Sequence, residues 1–167
     1  MPASKKPRRK YRPKPLDPLS ALQTLNRSHV IGEVLTNFYK PLEAADQRDV
    51  AIAFGSSIDA ISKGKGEISH AETLACMCNT SLVLTERGFG PEYEADIIAA
   101  LDALFRLQLR FKRTGKLGFD APGLQALRRA YDVHTAQVEI AGQGELMAAG
   151  NEVSRRIKEG NHYREAA

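Results

Sequence analysis

The sequence predicts an all-α protein: a bundle of five or six helices preceded by an extended basic N-terminal arm. Three observations carry that reading. Apolar residues recur at spacings of three and four along most of the chain, and no segment alternates with the period of two that marks a strand. Proline, glycine and capping residues fall between the periodic segments, where helices begin and end. Aromatic residues make up only 7% and tryptophan is absent, so the core must be built from Leu, Ile, Val, Ala and Met with a few rings. Leucine and alanine are strong helix formers.

Residues 1–16 form the arm. Pro2, Pro7, Pro13 and Pro15 remove backbone donors and bias their neighbours toward extended geometry. Residues 17–167 read as a single helical domain. Asp17-Pro18 resembles an N-cap followed by proline in the first helical position. A first helix then carries Leu19, Leu22, Leu25, Val30, Ile31 and Val34. Pro41 is expected to open a second helix with Val50, Phe54, Ile58 and Ile61 on one face, ending in the polar run SKGKGE.

Ser69-His70-Ala71-Glu72 matches a capping box, with Ser69 as the cap of a third helix. Leu74, Met77, Cys78, Leu82 and Val83 form its apolar side, and Gly88 and Gly90 end it. The alternative of a helix-turn-helix over 71–90 fits poorly. Its turn near Asn79-Thr80-Ser81 lacks glycine, and its reading helix has few side chains suited to base edges.

The fourth helix opens at Pro91 with Glu92 and Glu94 in its first turn. It closes with Arg110, Lys112 and Arg113 before Gly115, charges placed to offset the helix dipole at each end. Ile97, Ile98, Leu101, Leu104, Phe105, Leu107, Leu109 and Phe111 cover more than one stripe. This helix is expected to sit at the centre of the bundle or to hold one face for a partner, which admits a homodimer. Asp120 and Pro122 start a fifth helix with a seam of Leu124, Leu127, Tyr131, His134 and Val138. GQGE at 142–145 interrupts it before a short amphipathic segment over 146–159.

Charge is segregated along the chain. Lys5, Lys6, Arg8, Arg9, Lys10, Arg12 and Lys14 stand in the first sixteen residues without an acid. The remainder holds 17 of the 24 basic residues against all 20 acidic ones, a net charge of −3 there. The overall +4 therefore comes from the arm, and a cationic arm on a mildly acidic body points to a polyanionic partner. The arm can follow a DNA or RNA backbone without reading bases, and Tyr11 can stack on an exposed base. A non-enzymatic accessory or regulatory protein on nucleic acid is therefore the first reading, and docking of the arm on an acidic protein surface is the alternative. Arg106, Arg110 and Arg113 share a helix face and extend the candidate binding surface. A continuous positive strip joining them to the arm favours nucleic acid, and patches divided by carboxylates favour a protein.

Nothing in the sequence assigns catalysis, a metal or a cofactor. Cys76 and Cys78 point to different sides of a helix and read as reduced, semi-buried thiols, without the second pair that a zinc site needs. His134 reads as a satisfied histidine at the core edge. Glu92, Glu94 and Asp96 read as helix-start acids, and Asp59, Glu72, Asp102 and Glu139 lack the spacing of a di-iron bundle. No phosphate-binding loop follows a strand. An enzyme site formed between helices stays open as a third reading. No stretch approaches a membrane span, no secretory signal follows the positive start, and two cysteines without a bridge suit the cytoplasm.

Lys10, Tyr11, Arg12, Pro13, Lys14 and Pro15 resemble the basic, proline-rich openings of small phage and prophage proteins of proteobacteria. Those openings precede an all-helical body. The resemblance implies no set activity. It raises two binding functions: an accessory or regulatory protein on nucleic acid, and an inhibitor or adaptor acting on a host complex.

Overall fold

The protein was analysed as a computed structural model that describes residues 38–160. The arm and the first predicted helix lie outside the described residues, as do His29 and His162. The described chain is all-α. Its helices are α1 (Ala44–Ser62), α2 (Ile68–Glu86), α3 (Glu94–Thr114), α4 (Ala121–Ile140) and α5 (Gln143–Lys158), with a 3-10 turn over Pro91–Tyr93. Among the described residues there is no sheet; one isolated antiparallel bridge joins Pro41 to Gly142.

That bridge corrects the expected start of α1. Pro41 stays extended because it pairs with Gly142, and the amide of Gln143 donates to Lys40 O at 2.8 Å. The helix begins three residues later, with Glu43 as an extended N-cap. Ile58 and Ile61 are buried as the periodicity requires, and Phe54 packs beside them. The chain leaves α1 through Gly64, whose φ of 70° is left-handed.

The start of α2 also differs from expectation. Ser69 lies inside the first turn, and the cap is Glu67. The Glu67 amide donates to His70 Nδ1 at 3.0 Å, so His70 takes the part expected of Glu72. The cause is the return of the chain onto α1. A Cβ at Gly66 would stand 2.8 Å from Ile61 Cα, and this close approach sets the first turn at Ile68. From there α2 runs unbroken to Glu86, which excludes a helix-turn-helix at that position.

The central position belongs to α2 and not to the fourth predicted helix. α2 packs against all four other helices. Leu74, Met77, Cys78, Ser81, Val83, Leu84 and Thr85 are buried around its circumference. It can occupy the centre because Glu72 and Glu86 are its only acidic residues and it has no Lys or Arg. α3 carries Arg106, Arg110, Lys112 and Arg113, which need water, and so it is amphipathic. Its inner face buries Ile97, Leu101, Leu104 and Leu107 against α2 and α4. Gly115, at φ 68°, ends it.

Asp120 caps α4 as expected, its Oδ1 accepting from Gly123 N at 2.7 Å. Gly123 lets α4 approach α3, since a Cβ there would meet Ala103 Cβ at 3.2 Å. α4 ends at Ile140, and the anticipated break falls at Ala141–Gly142. α5 then packs on the C-terminal half of α2 in a second cluster of Val83, Leu84, Ala141, Ala149 and Val153.

Polar contacts tie these layers together. Ser81 Oγ donates to Gln137 Oε1 at 2.6 Å, and Gln137 Nε2 donates to Ser81 O at 3.2 Å and to Phe89 O at 2.9 Å. Both side chains are buried, so one amide links α2, α4 and the turn after α2. At the surface Arg87 meets Glu145 at 2.9 Å, and Arg156 forks onto Glu86. Hydrogen bonds from Arg155 and Arg156 hold the Glu152 carboxyl down to about 2.

Candidate binding surfaces

The three predicted body cations lie on the C-terminal half of α3. Two turn toward the loop before α4. Arg106 Nε stands 3.6 Å from Asp120 Oδ2, and Arg110 Nη1 donates to Gly118 O at 3.1 Å. On α4, Arg129 Nε meets Asp96 Oδ1 at 2.8 Å. The same carboxylate that caps α4 thus also neutralises Arg106, and an acid of the α3 start neutralises Arg129. Arg113, Lys112, Lys116 and Arg128 form no ion pair among the described residues. Of these body cations, Arg106 and Arg129 each face a carboxylate. Lys5, Lys6, Arg8, Arg9, Lys10, Tyr11, Arg12 and Lys14 all lie outside the described residues.

One concave feature among the described residues is apolar. A groove of about 430 Å³ runs between α2 and α3. Ile68, Ala71, Glu72, Ala75 and Asn79 form one wall, and Leu101, Leu104, Phe105, Gln108, Phe111 and Lys112 the other. Leu117 closes an end. The walls span about three helical turns, roughly 16 Å at 1.5 Å per residue. Ala71 and Ala75 are the small side chains of the α2 wall, and the rings of Phe105 and Phe111 stand on the α3 wall. The sequence reading missed it. The available signal was the Ala71/Ala75 pair, one turn apart on the helix.

The histidine, cysteines and acids weighed in the sequence take the following places. His134 is only 4% exposed. Its ring meets Phe54 edge-on, with centroids 5.2 Å apart, and Gln47, Val50 and Glu139 line the same small space. Among the described residues its Nδ1 finds no hydrogen-bond partner, so the histidine is not the satisfied one expected. Burial lowers its pKa to about 4, which keeps the ring neutral. Cys76 is exposed and Cys78 fully buried. The pair is thus split between solvent and core, and burial pushes the Cys78 thiol up to about 12. Asp59 pairs with Lys63 at 2.7 Å. Among the described residues no three His, Cys, Asp or Glu side chains gather into a group able to hold a metal ion. No helix among them is long and apolar enough to cross a membrane.

No family model matches the chain, and no curated protein or solved structure matches it either.

Proposed function

We propose that this is a non-enzymatic binding protein that works by occupancy, with its cationic arm docking on an acidic protein surface as an inhibitor or adaptor. The observation that carries the reading is that Arg106 and Arg129, two cations of the body, each face a carboxylate, Asp120 and Asp96. A nucleic-acid strand gains affinity with each phosphate that a cation neutralises. An arginine beside a carboxylate offers less to a phosphate, whereas a protein surface can match single cations one by one. The arm carries seven cations in sixteen residues, a charge density that supports long-range attraction to an acidic partner.

A second reading keeps nucleic acid as the partner of the arm. It is supported by Tyr11 among those seven cations, and by Lys112, Arg113, Lys116 and Arg128, which no carboxylate engages among the described residues. On that reading seven phosphate contacts give a slope of log affinity against log salt of about −6 on B-DNA and about −5 on a single strand.

Affinity purification with and without nuclease separates the two, comparing the full chain with one beginning at residue 17. Recovery of one defined protein that survives nuclease and is lost with the arm supports the first reading. Loss of all recovery on nuclease treatment refutes it in favour of the second.

A further inference from the structure

We propose that the first half of α1, residues 44–53, is a lid hinged at Gly55-Ser56-Ser57 that lifts off α4 and bares His134. The proposal does not depend on which partner the arm takes.

The two halves of α1 are held unequally. Ser57, Ile58 and Ile61 are 3%, 6% and 1% exposed and anchor the second half in the core. Across 44–53 no residue is buried. Gln47, Val50 and Ala51 are half-buried there and the rest are exposed, Ile52 at 58%. A segment with so little buried apolar surface opens at a lower free energy than the core beside it. Its cap adds little, because Glu43 makes no side-chain hydrogen bond to the first turn. The Pro41–Gly142 bridge, with Gln143 N donating to Lys40 O at 2.8 Å, holds its leading end.

The sequence puts a weak point where the burial changes. Gly55, Ser56 and Ser57 stand between the two halves. Glycine loosens a helix interior, and Gly/Ser pairs are places where helices bend. Ala53 O accepts from Ser56 Oγ at 3.1 Å and from Ser57 Oγ at 2.8 Å. Both hydroxyls offer this carbonyl a partner other than its helical amide, which weakens the turn. The pivot has room: a Cβ at Gly55 would meet only the ring of Tyr131, with its hydroxyl oxygen at 3.7 Å.

Beneath the lid lies a group that gains from opening. Gln47, Val50 and Ala51 share a space of about 20 Å³ with His134, Val138 and Glu139 of α4. His134 is 4% exposed, and among the described residues its Nδ1 has no hydrogen-bond partner. Lifting the lid gives that nitrogen water and recovers hydration that closure forfeits. A thinly packed half-helix, a pivot at its base and a buried acceptor that prefers exposure together define two states.

The test is amide hydrogen exchange of the full chain, read residue by residue by NMR, together with carbethoxylation of His134 by diethyl pyrocarbonate, read on its peptide by mass spectrometry. A helix of about ten residues without its support is marginal in water, so the amides of a lifted lid exchange as one set. Amides 47–53 are expected to exchange about a hundredfold faster than 58–62, at one shared protection, with the break at 55–57. Gly55→Ala is expected to slow the whole set about threefold, and Ser56→Ala about twofold, with unchanged circular dichroism. Modification of His134 is expected to slow by the same factors.

Equal protection on both sides of Gly55 overturns the proposal. Protection that climbs step by step along 47–53 and ignores Gly55→Ala overturns it too, because that is the pattern of a fraying end. So does a His134 that reacts at one rate in the wild type and both variants, since the lid would then not be its cover.

Discussion

The buried amide of Gln137 gives the sharpest test of the fold. Its Oε1 accepts from Ser81 Oγ at 2.6 Å, and both side chains are at most 2% exposed. Ser81→Ala removes one oxygen and strands Oε1 in a place water cannot reach. An unsatisfied buried acceptor costs about 1–3 kcal/mol, because its hydration is lost without replacement. The small void left by the hydroxyl adds little. We expect a loss of about 2 kcal/mol. With a urea m-value of about 2 kcal/mol/M, the unfolding midpoint falls by about 1 M. Gln137→Leu strands Phe89 O and the Ser81 hydroxyl instead, though the hydroxyl can turn back onto its own helix. The double variant removes both side-chain partners and should cost less than the sum of the two single changes by about 1 kcal/mol or more. Equilibrium urea unfolding, followed by circular dichroism, measures all four proteins. A Ser81→Ala variant within about 0.5 kcal/mol of wild type, or strictly additive effects, would refute the argument that this contact is a sealed one.

Three further outcomes are expected. Burial holds His134 at about 4 against an unfolded value of 6.5; stability is therefore complete above pH 6.5 and declines as pH falls toward 4, where the unfolded chain takes a proton the folded one refuses. The full span is roughly 3 kcal/mol, so between pH 7 and 5 wild type should lose about 2 kcal/mol more than His134→Leu does, by denaturant unfolding at each pH. In thiol labelling with a chromogenic disulfide, Cys76 should react at once in the native protein and Cys78 only on unfolding; two fast thiols would contradict the burial of Cys78. Asp120→Ala removes the α4 cap and the partner of Arg106. It should cost about 1 kcal/mol in thermal or urea unfolding, and Asp120→Asn, which can still cap, less than half of that.

The helices were legible because their periodicity and punctuation agree. Asp120, Pro122, Gly115 and the glycines after Glu86 stand where local chemistry alone puts them. The misplacements share a physical origin. The start of α1 depends on Pro41 meeting Gly142, and the start of α2 on Gly66 meeting Ile61, contacts that no local rule contains. Of the two places open to the most apolar helix, the bundle centre goes to α2 instead, because hydrophobic length alone does not weigh charge. α3 has the larger apolar side chains, but α2 lacks the cations that would hold a face in water. The cation set was readable as residues but not as a surface, since Asp120 and Asp96 approach Arg106 and Arg129 only once α3 and α4 are packed. The groove was invisible for a similar reason: alanines read as helix formers until a neighbouring helix leaves them uncovered.

The bridge between Pro41 and Gly142 has a consequence for how the molecule assembles. It fastens the lead into the first described helix to the hinge between the last two, closing a ring of about 100 residues. Contacts between points so far apart along the chain are slow to form. The three helices α2, α3 and α4 meet through short connections and can condense early. The seam at residue 142 should lock late, and it should be the first to part under stress. A side chain at Gly142 would strike the backbone at Phe38 and Tyr39. Gly142→Ala is thus expected to release α5 and the lead into α1 together, seen as faster amide exchange in both, while leaving the middle of the molecule protected.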